Sequence, residues 1–398
     1  MLGALVTLAS FATDMGLPVL AETARSLHVP AGRAALTLSM FLAGFAIGPL
    51  VAGPLSDHFG RRPVLLTGCA MFATFGALGA FSRSLPALLV WRFLMGTGAG
   101  ACQVLVLAVV RDLFTGVEAR VKQSYVNLAG GIAPIIAPTL GIAIASFGGW
   151  RAIYGAIAIG ATSLFALAWF GLGESAPRGE PGALTVRSAL DSYLRVLRHP
   201  VSLGFVLVIS LNFGCLFAYI SASSLVLIGL LGVSQRTYGV LFAVTAGGLM
   251  AGALTNARLS QRGVAHSRLI AWGLGAIVGT SLVLLALTFL DALRVWTIIP
   301  LVVIGFVGQG IVRPNAALGA LEPMSSIAGV ASAVLSGTQM LTGALASALV
   351  AALFDGRSAV AMTGTMAACA AASAMVYAFV VRPAERRSSH DARSAQPA

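Results

Sequence analysis

The sequence predicts an all-α polytopic membrane protein, with twelve transmembrane helices in two six-helix halves. Three observations predict it. Apolar residues make up 58% of the 398-residue chain and charged residues only 10%, a composition that ordinary soluble domains do not have. The apolar residues collect into segments of membrane-span length, six before and six after one long polar stretch at 174–200. Finally, Gly53-x-Leu55 returns as Gly252-x-Leu254, 199 positions later, with Asn256 where Asp57 stands. A parallel repeat of six-helix halves places a substrate cavity between the halves at mid-membrane.

Residues 1–20 form the first expected span. Val19, Leu20 and Ala21 resemble a signal-peptidase site, but there is no basic stretch before them, and Thr13 and Asp14 interrupt the apolar run. A connection at 21–33 leads to the second span, 34–55. The next four are expected at 63–82, 87–110, 124–147 and 152–173. Six more follow at 203–231, 238–256, 269–290, 295–318, 328–354 and 359–381. The domains are therefore an N-terminal half (1–173), a linker (174–200), a C-terminal half (201–381) and a disordered tail (382–398). Within the linker, Leu190, Tyr193, Leu194 and Leu197 recur at helical spacing opposite Arg187, Arg195 and Arg198. That pattern is an interfacial amphipathic helix, read as a tether between halves.

Lys and Arg set the expected orientation. Of 25, 17 fall in alternate connections starting with that between spans 2 and 3 and in the C-terminal tail, counting Arg313 with the tenth connection; 7 fall on the other side and Arg92 lies within a span. The richer side is cytoplasmic, which puts both termini there. The formal charge of +12 does not indicate nucleic acid, because the arginines are scattered singly without a basic stripe. Cys69, Cys102, Cys215 and Cys369 sit in apolar segments without CxxC spacing and read as packing residues. The histidines lack metal-ligand spacing and there is no P-loop. No cofactor or metal is expected, and nucleotide hydrolysis is not expected as the energy source. An enzyme or sensor built on the bundle would need paired carboxylates or a metal cluster in the spans, and the sequence offers neither.

Run 53–62, Gly-Pro-Leu-Ser-Asp-His-Phe-Gly-Arg-Arg, joins the second and third spans as a tight hairpin. Gly53 is expected to let another helix approach and Gly60 to permit the turn. Asp57 stands near a helix C-terminus, and Arg61 and Arg62 at a helix N-terminus, where each meets an unfavourable dipole. These charges are therefore expected to find partners outside their hairpin, with Asp57 engaging Arg111 or the start of the eleventh helix, near 326–329, when the cytoplasmic side is closed. The alternative is a simple positive-inside anchor.

Asp14 is the one carboxylate within the apolar part of any span. It lies about 18 Å from its helix start, near the middle of a roughly 30 Å core. An acid there faces a cavity or a partner, or binds a proton, since low dielectric favours its neutral form. Pro18 should bend or end the helix one turn on. Arg92 is the matching cation in the fourth span, and Gly96, Ala99, Gly100 and Gln103 continue its face. An alternative has Arg92 snorkelling or bonding carbonyls. In the fifth span, Pro134 and Pro138 among glycines predict a bent, closely packed helix. Asn212, Phe213, Phe217 and Tyr219 in the seventh span, with Gln309 and Asn315 in the tenth, are candidate cavity residues, or else helix-packing groups.

Several of these runs resemble the major facilitator superfamily. Run 53–62 resembles its loop 2–3 signature, G-x-L-x-D-x-x-G-R-R, which implies a gate-locking cluster at the cytoplasmic face. Arg92-x-x-x-Gly96-x-Gly98 resembles its fourth-helix motif, linked to proton transfer, and 130–141 its fifth-helix exporter motif, with Ala137-Pro138 for the usual Gly-Pro. Thr13-Asp14-Met15-x-Leu17-Pro18, Arg111-Asp112-Leu113 and Ala133-Pro134 together resemble the Bcr/CflA drug-resistance transporters. So does the late stretch Gly329-x-Ala331-Ser332-Ala333 with Gln339-Met340. Gly16 departs from that family's usual Tyr. The resemblance implies proton-driven efflux of amphipathic drugs such as bicyclomycin, chloramphenicol or sulfonamides across a bacterial inner membrane, by a monomer. The alternative is an exporter or proton symporter of a small endogenous metabolite on the same fold.

Overall fold

The computed structural model describes residues 1–175 and 186–385. Residues 176–185 of the linker and the tail after Glu385 lie outside them. Among the described residues there are helices and no strands. Eleven are long and apolar enough to cross a membrane, and one of these, Gly116–Gly171, has 56 residues. Gly148 and Gly149 leave helical geometry there, Gly149 at φ +63°, so this element is spans 5 and 6 and the total is twelve.

Span 1 runs Leu2–Asp14, breaks, and continues through a 3-10 turn at Leu17–Val19 into Leu20–Ser26. Pro18 sets the position of the break. It has no N–H to offer the carbonyl four residues back, which belongs to Asp14. The expected loop 21–33 is therefore largely helical, with a further turn at Ala31–Ala34. Span 2 is Leu36–Phe59, span 3 Arg61–Ala80 and span 4 Leu85–Leu113. Most of run 53–62 is thus the last two turns of span 2, and only Gly60 turns the chain. Spans 7 to 10 are Pro200–Ser224 with a π-helical end at Leu225–Leu230, Gln235–Gln261, His266–Phe289 and Val295–Leu321. Spans 11 and 12 are Ala328–Leu353 and Val360–Val376, the last continuing helically to Glu385, into the expected tail. Arg313 lies inside span 10 rather than in the connection after it.

The chain packs as two compact units. The first comprises Met1–Gly182, Phe217–Ala246 and Ala344–Met362. Spans 2 and 4 lie backbone to backbone in it, because glycines face each other. A Cβ on Gly44 or Gly48 would overlap the backbone of Phe93 or Thr97, and one on Gly96 or Gly100 that of Phe41 or Phe45. Gly53 does not take part, contrary to expectation: nothing lies within 4 Å of a Cβ placed there. Spans 1 and 5 meet through Gly141, whose Cβ would overlap the Met15 carbonyl. At the loop 1–2 end, Leu20, Ala24, Ala34 and Ala35 pack with Leu225 and Ala351. Beside them Gln235 Nε2 donates to Pro18 O at 3.3 Å.

The second unit comprises Ala183–Leu216, Gly247–Gly343 and Thr363–Ala398. Spans 8 and 10 repeat the glycine contact, with Gly252 against Val307 and Gly310 against Leu249. At its end Asn315 Nδ2 donates to Asn256 Oδ1 at 2.6 Å. The linker helix is Val186–Arg198. Its buried residue is Val196, at 1% exposure, whereas Leu197 of the expected stripe is 45% exposed. The side chain of Leu190 lies outside the described residues.

Candidate functional site

The break in span 1 builds the first site. It leaves carbonyls of the last turn without N–H groups from a following turn. Arg92 of span 4 takes one of them: Nη1 donates to Ala12 O at 2.9 Å, and Nε donates to Thr37 O of span 2 at 3.1 Å. The guanidinium also lies over Phe41, 4.6 Å from the ring centroid, and 5.7 Å from that of Tyr154. Hydrogen bonds to a charged donor contribute about 1.5–3 kcal/mol each, so the cation is held without a carboxylate. Arg92 is 4% exposed, and so is Asp14, two residues beyond the carbonyl that Arg92 grips. Asp14 forms no ion pair among the described residues, with Arg92 or any other cation.

A cavity of about 30 Å³ adjoins Arg92, lined by Thr13, Gly16, Tyr154 and Ser221 among others, while Asp14 does not line it. That is room for about one water molecule beside several polar groups. Gly16, the departure from the Bcr/CflA pattern, opens this space, since a Cβ there would meet nothing within 4 Å. Tyr238, fully buried in span 8, shares a 2.8 Å hydrogen bond with Ser223 and lies within electrostatic reach of Asp14. Sequence reasoning missed it, as nothing in its spacing ties span 8 to span 1.

The second site is the hairpin of spans 2 and 3. Gly60 adopts φ +96°, open only to a residue without Cβ. The turn brings the N–H groups of Arg61 and Arg62 onto the carboxylate of Glu174, at 2.8 and 3.2 Å. An anion at a helix N-terminus is favourable. Arg62 reaches the opposite kind of terminus: Nη2 donates to Trp169 O at 2.6 Å and Nε to Leu172 O at 2.7 Å, at the end of span 6. Glu174, which the sequence assigned to the linker, thus resolves the dipole conflict for span 3. Arg61 joins Asp57 and Ser56 Oγ through Nη1 and Asp112 of span 4 through Nε, at 3.1 Å. The expectation that Asp57 looks outside its hairpin is corrected here: its partner is Arg61, four residues on. Arg111 is exposed and makes no hydrogen bond or ion pair among the described residues, and its neighbour Asp112 supplies the link to span 4.

With this geometry in view, the chain can be compared with known proteins. The pattern of the Major Facilitator Superfamily matches residues 2–347. The chain belongs to the major facilitator superfamily. It is 31% identical to a bicyclomycin resistance protein homolog of Haemophilus influenzae over 382 residues, covering 95% of this chain and 94% of that protein. It is 32% identical to a chloramphenicol resistance protein of Pseudomonas aeruginosa, covering 82% and 77%. These relatives place it in the Bcr/CflA branch. Among solved structures, a bacterial homolog of the human lysosomal transporter spinster superposes with a TM-score of 0.73 at 14% identity, covering 97% and 95%. A D-xylose-proton symporter does so at 0.70 and 17%, covering 95% and 97%. Both share the superfamily's fold.

The remaining candidates separate on this fold. Pro134 and Pro138 lie inside span 5, and Gln103 is half-buried on span 4. Phe217 and Tyr219 are buried and Phe213 half-buried in span 7. Asn315 is engaged by Asn256 and by Ile311 O, as a packing group would be. Gln309 is 6% exposed on span 10, one turn before Arg313 on the same face. Asn212 is 5% exposed, and neither atom of its amide has a hydrogen-bond partner among the described residues. Arg313, which sequence reasoning had counted outside the span, makes no hydrogen bond or ion pair among the described residues.

Proposed function

We propose that this superfamily member exports amphipathic drugs across the bacterial inner membrane in exchange for protons, by alternating access, as a monomer with both termini cytoplasmic. The observation that carries the reading is Asp14: a buried acid without an ion-pair partner among the described residues, at a break in span 1 where Arg92 holds the Ala12 carbonyl. The resistance proteins it resembles support the substrate class, and the excess of Arg in alternate connections supports the orientation. An ionised acid in this setting is costly, so its charge responds to what shares the site. Facing outward, Asp14 takes up a proton and drug leaves. Facing inward, it loses that proton and drug binding becomes favourable again. Proton and drug are then linked through one charge, with a coupling of about 1–3 kcal/mol being typical.

Asp14→Asn mimics the permanently protonated form. Purified wild type in detergent should release protons when chloramphenicol is added, and Asp14→Asn, still folded, should not. Equal release from both would move the coupling elsewhere. In a pump-deleted host, the wild-type chain should raise the inhibitory drug concentration, and a protonophore should abolish the gain. A metabolite exporter would give no such gain.

A further inference from the structure

The linker helix and the connection between spans 10 and 11 enclose a groove that the transport cycle described above does not use. It has a volume of about 620 Å³ and lies within the second unit. One side is cationic. Arg195, Arg198 and His199 line it, and only Asp191 opposes them. Both arginines are exposed and neither forms an ion pair or side-chain hydrogen bond among the described residues. His199 Nδ1 accepts the Ser202 N–H at 3.2 Å, which leaves its Nε2 as a donor. The facing side is apolar: Met324 and Ile327 come from the 10–11 connection, and Leu194 extends this surface from the helix.

We propose that this groove binds an anionic phospholipid, its phosphate on Arg195 and Arg198 and its glycerol and upper acyl carbons on Leu194, Met324 and Ile327. Two features favour a lipid over a soluble anion. The groove is half apolar, which a free phosphate does not need. It also lies at the membrane surface, since Arg198 stands two residues before Pro200, where span 7 begins. Guanidinium groups bind phosphate by paired, charge-assisted hydrogen bonds, and each basic residue near an anionic leaflet adds to the attraction. A zwitterionic lipid presents its own ammonium to the same arginines, so the groove discriminates by headgroup charge. Lipid held here would fasten the linker helix to the bilayer.

The test uses the full chain in mixed micelles and follows the melting temperature during titration with phosphatidylglycerol, phosphatidylcholine or glycerol 3-phosphate. Phosphatidylglycerol should raise it saturably, and the other two should not. The double variant Arg195→Gln, Arg198→Gln should need about tenfold more phosphatidylglycerol for half the effect. Asp191→Asn, which keeps both arginines, should need less, and it serves if the double variant does not fold. An equal response to phosphatidylcholine would overturn the proposal. So would an Asp191→Asn titration matching wild type, or an undiminished response in the double variant. A response to glycerol 3-phosphate alone would make this a soluble-anion site instead.

Discussion

Buried polar atoms inside a membrane protein are costly unless something engages them, and Asn212 shows this most sharply. Its side chain is 5% exposed with neither amide atom hydrogen-bonded among the described residues, and leaving such a group unsatisfied costs about 1–3 kcal/mol. Asn212→Leu removes that cost. The variant should melt later than wild type by detergent-stability assay while transporting drug more slowly; a lower melting temperature would make the amide structural. Arg313 differs, since its side chain is exposed on span 10. Arg313→Met should reduce transport with the melting temperature little changed, because an intramembrane cation is retained for use rather than for stability. Asp14 and Arg92 could be found from the sequence, since a lone acid and a lone base stand out among apolar residues. That Arg92 binds the Ala12 carbonyl and not the acid could not, because it depends on where Pro18 breaks the helix and which carbonyl is thereby freed.

Two helix contacts decide the element scale. Spans 2 and 4 touch through glycines whose missing side chains leave space for the opposing backbone. Gly96→Ala places a methyl on the Phe41 carbonyl and should abolish folded yield, as judged by size-exclusion chromatography. Gly53→Ala meets nothing within 4 Å and should be expressed normally, with stability unchanged or raised by up to about 1 kcal/mol. The opposite ranking would mean that the loop 2–3 glycine makes the contact after all. Sequence reasoning chose Gly53 because it stood beside charges. Which glycines carry contacts depends on how each helix is rotated about its axis, and a motif does not encode that rotation. Glu174 was hidden for a related reason: its partners are more than a hundred residues away, and only the hairpin turn at Gly60 brings them together. Glu174→Gln should lower the stability of the hairpin by about 1 kcal/mol, since it removes the anion at the start of span 3.

For the whole molecule, the glycine contact of spans 2 and 4 returns in spans 8 and 10, and Asp57 and Asn256 close corresponding ends of the two arrangements. The repeat was legible from Gly53-x-Leu55 and Gly252-x-Leu254, though the second unit uses its glycine for contact and the first does not. The linker helix was legible too, while its buried residue, Val196, was not, because amphipathicity gives a face and not which residue on it meets a neighbour. Val196→Ser should therefore lower the melting temperature more than Leu197→Ser.

Under the proposed exchange for protons, a transporter that let protons flow unaccompanied would dissipate the voltage that drives it, at about 2.3 kcal/mol per charge for each 100 mV. Leu20 and Ala35 line the cavity beside Arg92 and also belong to the cluster with Ala24, Ala34, Leu225 and Ala351. No side chain in that cluster can accept or donate a proton. While those six hydrocarbon groups stay packed, a hopping proton finds no relay among them. The cluster is an electrical insulator made from the smallest amount of side chain that will fill the gap.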